Sequence, residues 1–133
     1  MKKSDIERRL AEYRDALRSM QTDAWVSQFA EDGSVEDPVG MPAHRGHEAL
    51  RTFFDGVRKN FKLLDLTPEL VVVAPPEAVV KWSTRGVTAA GAEITFQGVS
   101  TYTFREDGKV QQMRAFWDVN ELGRLLKAAA AAG

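Results

Sequence analysis

At 133 residues, with 44% apolar and 28% charged side chains, the chain has the length and composition of one globular domain around a single core. It contains no cysteine, which excludes disulfides, thiolate metal sites and cysteine nucleophiles and fits a reducing cytoplasm. A net charge of −1 gives no electrostatic ground for a nucleic-acid partner, and no apolar run approaches membrane-spanning length. Met1-Lys2-Lys3 leads into Ser4-Asp5-Ile6-Glu7-Arg8-Arg9 instead of the apolar run of a signal peptide. The expectation is a soluble cytoplasmic protein with no membrane partner.

The elements follow in chain order. Ser4 and Glu7 have capping-box spacing, and Ile6, Leu10, Tyr13, Leu17 and Met20 recur at steps of four and three, which predicts an amphipathic first helix with Tyr13 on its buried face. Thr22 caps a short second helix carrying Trp25, Val26 and Phe29, ended by Glu31-Asp32-Gly33. A short strand from Ser34 to Asp37 follows. Asp37-Pro38-Val39-Gly40-Met41-Pro42 reads as a loop, because Pro38 steers Asp37 out of the helical region. From Gly46, Leu50, Phe53, Phe54, Val57 and Phe61 mark one face of a third helix.

Four strands are expected next: 66–74, 78–88, 93–105 and 109–117, divided by Pro75-Pro76, Ala90-Gly91 and Asp107-Gly108. Short turns between long strands imply hairpins and hence a curved antiparallel sheet around the helices. A last helix over 119–127 gives way to an alanine-rich frayed tail, 128–133. The fold class is α+β: one domain, residues 1–127, forming a cone whose interior is part core and part apolar pocket.

The run Phe29-Ala30-Glu31-Asp32-Gly33-Ser34-Val35-Glu36-Asp37-Pro38-Val39-Gly40, then Arg45-Gly46 and Glu48-Ala49-Leu50-Arg51-Thr52-Phe53-Phe54, resembles the ketosteroid isomerases. Tyr13 near the start, and Gly108-Lys109-Val110 with Met113-Arg114-Ala115 near the end, extend the resemblance. Beyond the Val-Glu-Asp-Pro-Val-Gly segment the likeness is shared with the SnoaL-like and nuclear-transport-factor-2-like superfamily, which implies the same cone.

The resemblance implies Asp37 as a base that moves a proton beside a ketone and Tyr13 as the donor to the resulting oxyanion. The ketosteroid isomerase case in general enzymology adds a protonated carboxylic acid as a second donor. That position falls on Ser100, a weaker acid one carbon shorter, and loss of such a donor typically costs about 2.7–4 kcal/mol of transition-state stabilisation. Phe54 stands where some relatives have a tyrosine that supports the oxyanion tyrosine.

Asp37 has a second reading, a carboxylate that fixes the turn before Pro38. Tyr13 reads equally as a core phenol satisfied by a backbone carbonyl. Ser100 and Tyr102 share strand parity with Phe96 and Phe104, so either hydroxyl is a candidate for the missing donor or a plain core lining. Trp82, Thr84, Met113 and Trp117, with Tyr102, are the substrate-wall candidates by the same parity rule. Asp118 precedes Val119-Asn120-Glu121 with capping-box spacing and reads as a helix cap, while His44 and His47 lack a third metal ligand.

Three functions are carried forward: an isomerase acting on an apolar carbonyl compound, a SnoaL-like cyclase or epoxide-opening enzyme with Asp118 as second acid, and a non-catalytic small-molecule-binding module. No cofactor and no metal is expected. The resemblance implies a homodimer through the outer sheet face at Thr95, Gln97, Val99, Thr101 and Arg114.

Overall fold

A computed structural model describes residues 1–132. Helix α1, Lys3–Ser19, forms on the predicted stripe and buries Ile6, Leu10, Tyr13 and Ala16. It begins one residue before Ser4, and the Asp5 carboxylate accepts the Lys2 backbone N–H at 2.9 Å, so Asp5 replaces the expected serine cap. It ends at Met20, whose left-handed backbone returns its N–H to the Leu17 carbonyl. Helix α2, Thr22–Val26, starts on Thr22, but that hydroxyl donates to Asp55 at 2.6 Å and does not cap.

Strand β1, Phe29–Glu36, is longer than the periodicity suggests. Phe29, expected on the second helix, opens this strand and is buried, because its backbone neighbours are the sheet's and not the helix's. A two-residue strand β2, His44–Arg45, pairs back on Ser34 and Val35. Helix α3, His47–Asn60, is followed without a break by β3, Phe61–Ala74, so Phe61 begins a strand five residues before the expected start. Strands β4, Glu77–Thr88, β5, Glu93–Phe104, and β6, Val110–Phe116, complete the meander. Helix α4, Val119–Ala132, continues through residues 128–132, where a frayed tail was expected; alanine is the strongest helix former and carries the helix on. Gly133 lies outside the described residues.

The sheet order is β2-β1-β6-β5-β4-β3. The curved sheet enclosing the helices is as expected, with one difference: β1 runs parallel to β6, making the sheet mixed. A parallel partner needs a crossover, and hairpin spacing cannot reveal it because 73 residues separate Glu36 from Val110 along the chain. Trp25 anchors the core, stacked on Phe54 at 4.8 Å and tilted against Phe29 at 4.6 Å.

The β1–β6 register shifts between Phe29 and Ser34, and Gly33 sits in that irregularity. A Cβ there would lie 3.0 Å from the carbonyl oxygens of both Ala30 and Val110, backbone atoms with little freedom to move. Gly33→Ala is expected to lower unfolding free energy by about 1–3 kcal/mol. Urea denaturation checks this, and a cost near zero would show that the irregular segment yields.

Candidate active site

Asp37 follows directly on β1. The Glu36 carboxylate accepts from Arg114 Nε at 3.2 Å, and two residues beyond Asp37 the Val39 N–H donates to the Ala115 carbonyl at 2.8 Å. The segment is therefore fastened to β6 on both sides of the aspartate, whose side chain is turned inward like that of fully buried Val35. Trp117, just past β6, donates its indole N–H to Asp37 Oδ1 at 2.5 Å.

Across the cavity stand two phenols. Tyr13 of α1 and Tyr102 of β5 are both buried, and their rings meet edge to face at 5.3 Å. Tyr13 Oη accepts from the Trp25 indole N–H at 3.2 Å, which leaves its own proton to donate. Two residues before Tyr102 on the same face, Ser100 Oγ accepts from the Trp82 indole N–H at 2.9 Å. Trp82 pairs with Gly98 on the neighbouring strand, and a Cβ at 98 would meet its ring at 2.7 Å, so the glycine lets the indole lie across β5 and reach Ser100.

These groups line one cavity of about 330 Å³ with mostly apolar walls. It is lined as well by α3, by the start of β3 and by Leu122 of α4. The expected wall residues Trp82, Thr84, Met113 and Trp117 all line it, as do Asp37, Tyr13, Ser100 and Tyr102. Asp37 is the one acid on the wall among the described residues.

Burial is the largest influence on Asp37 and raises it from 3.8 to about 6, with the Trp117 hydrogen bond acting in the opposite direction. Burial likewise pushes both phenols upward, and the nearby Asp37 charge adds to this in each. The Trp25 hydrogen bond works against the rise at Tyr13, and the Ser100 hydroxyl works against it at Tyr102. At neutral pH the cavity thus holds one ionised acceptor facing two neutral donors.

Asp118 lies outside this group. Its Oδ1 accepts the backbone N–H groups of Asn120 and Glu121 at 2.9 and 3.1 Å, capping α4 as its spacing suggested. His47 Nε2 contacts the Phe29 carbonyl at 2.9 Å, and His44 packs on Phe53. No group of three or more potential metal ligands occurs among the described residues. Sequence reasoning treated Trp25 only as an apolar helix residue. Its indole N–H was the available signal, since a buried tryptophan needs an acceptor, and it gives Tyr13 the support that Phe54 cannot.

The fold is a cone that encloses this polar-tipped apolar cavity. Residues 10–113 match the model of the SnoaL-like domain, and the chain belongs to the SnoaL-like family of the nuclear-transport-factor-2-like superfamily. Among curated relatives it is similar to a steroid Δ-isomerase of Nocardioides simplex, 30% identical over 115 residues, covering 86% of this chain and 90% of the relative. Among solved structures it resembles SalBIII, an epoxide hydrolase/cyclase-like enzyme in pyran ring formation in the polyether salinomycin. The TM-score is 0.77 at 23% identity, over 88% of this chain and 93% of the other, a likeness of fold.

The raised Asp37 value ties stability to pH. Between 3.8 and about 6 the native state holds a proton that the unfolded chain has released, so stability falls as pH rises through that window. Asp37→Asn is therefore expected to gain about 2–3 kcal/mol relative to the unaltered protein between about pH 4 and pH 8. Denaturation at both values checks this, and an equal difference at the two pH values would mean a solvated carboxylate.

Proposed function

We propose that the protein is an isomerase of the steroid Δ-isomerase type, shifting a double bond in an apolar carbonyl compound. Asp37 takes a proton from the carbon beside the carbonyl, and the electron pair released moves onto the carbonyl oxygen. Tyr13 donates a hydrogen bond to that oxyanion. Asp37, now protonated, returns the proton at the far carbon of the dienolate, and the carbonyl reforms. Protons and electrons balance without a cofactor.

The observation that carries this reading is the desolvated Asp37 facing neutral phenols across an apolar cavity. A base that titrates close to neutral pH is strong enough to abstract a proton and still present in its ionised form. Similarity to a steroid Δ-isomerase over most of the chain supports it. The cyclase or epoxide-opening reading is weaker, because its second acid, Asp118, is engaged in capping α4. The non-catalytic reading expects an ordinary aspartate, which burial argues against.

The homodimer belongs to the same proposal. On the outer sheet face Val79 and Phe116 are exposed, Phe116 lies under the Arg114 guanidinium, and Val99 and Thr101 pair beside them together with Lys81. Burying Val79 and Phe116 against a second copy removes them from water.

With a β,γ-unsaturated ketone as substrate, Asp37→Asn is expected to lower kcat at least about a hundredfold with the fold retained. Turnover equal to the unaltered protein's would end the proposal. In the unaltered protein kcat/KM should climb as pH rises through about 6 and then level, because the ionised carboxylate is the active form. Trp117→Phe removes the hydrogen bond that favours that form, so this limb should move up by about one pH unit. Sedimentation should find a dimer that Phe116→Asp dissociates; a monomeric unaltered protein would remove the dimer from the proposal.

A further inference from the structure

We infer that Tyr102 gives the second hydrogen bond to the ligand's oxygen and that Ser100 is a positioning residue acting through it, so that two phenols hold one oxygen. The inference rests on the isomerase reading in taking that oxygen to be anionic.

The division of roles follows from what each hydroxyl is already doing. Ser100 Oγ is fixed by the Trp82 indole N–H, and the indole is itself fixed because Gly98 lets it lie across the strand. A hydroxyl that accepts one hydrogen bond has one proton left to give. Tyr102 lies two residues on, its side chain on the same face of β5 and lining the same cavity as Ser100, whose hydroxyl opposes the upward shift of the phenol. Giving the serine proton to Tyr102 leaves the tyrosine's own proton for the cavity. A relay results, from Trp82 through Ser100 to Tyr102.

The second phenol of the pair is built alike. Tyr13 accepts directly from Trp25 and likewise keeps its proton for the cavity. Both phenols line the cavity with their rings in edge-to-face contact, and the Asp37 charge acts on both. The three groups therefore face one volume. A phenol, ordinarily titrating near 10, is also a far better donor to an oxyanion than an aliphatic alcohol. A tyrosine reaches further from the strand than a serine, which removes the shortfall in length at position 100.

β-Naphthol is the probe, since its ionised oxygen mimics a dienolate and its ionisation is read by absorbance without turnover. The measurements are made on Asp37→Asn protein, in which the side chain is neutral like that of the protonated base. Tyr102→Phe in that background is expected to weaken binding of the ionised naphthol about ten- to a hundredfold. Ser100→Ala and Trp82→Phe should each cost a few-fold at most, and Ser100→Ala should add nothing once Tyr102 is phenylalanine, the non-additivity expected of groups acting in series. Thermal melts confirm folding. The reverse pattern, full loss with Ser100→Ala and none with Tyr102→Phe, would overturn the inference. So would additive losses, or failure of the Asp37→Asn protein to bind β-naphthol. If binding follows the expected pattern but no ketone is turned over, the isomerase reading fails and the phenol pair stands.

Discussion

A carboxylate kept in an apolar cavity needs compensation, and the amount decides what it can do. Asp37 receives one strong hydrogen bond, from Trp117. With several donors it would be as weak a base as a surface aspartate; with none it would titrate higher still and be less ionised at neutral pH. One indole N–H against extensive burial leaves it titrating near 6. The contacts that hold the aspartate in place, the Glu36–Arg114 pair and the Val39–Ala115 backbone bond, lie on the β1–β6 seam.

The same device recurs around the cavity. The chain has three tryptophans, and each aims its N–H at an oxygen of the site: Trp25 at Tyr13, Trp82 at Ser100, Trp117 at Asp37. An indole suits this because its broad face serves as apolar wall while its single donor serves one polar partner. It also has no acceptor, so it does not compete for the protons that the phenols must offer a ligand. The supporting contacts differ in each case: a stack on Phe54 for Trp25, the bare backbone at Gly98 for Trp82, an edge contact with Phe96 for Trp117.

Much of this was legible in the sequence, for physical reasons. Strand parity placed Trp82, Thr84, Ser100, Tyr102, Met113 and Trp117 on one face because side chains alternate strictly along a strand. The helical stripe placed Tyr13 inward, and the spacing after Asp118 revealed a cap. What escaped was long-range. Phe29 was misplaced because an apolar residue after a short helix looks the same whether the helix continues or a strand begins. The parallel pairing was hidden because adjacent residues carry no mark of a partner far along the chain. The indole relays were hidden too, since which acceptor a tryptophan finds depends on packing between elements.

That parallel seam also has a consequence for how the site comes into being. Asp37 and Trp117 are 80 residues apart, and their strands are joined by a crossover and not by a hairpin. The β3–β6 meander closes through local turns, whereas β1 docks only after a long loop has been closed. Until it docks, Asp37 is a solvated residue with an ordinary acidity. The raised basicity of Asp37 is therefore a product of tertiary docking and not of the local sequence. A molecule that opens at that seam exposes the Asp37 carboxylate to water while most of its sheet stays intact.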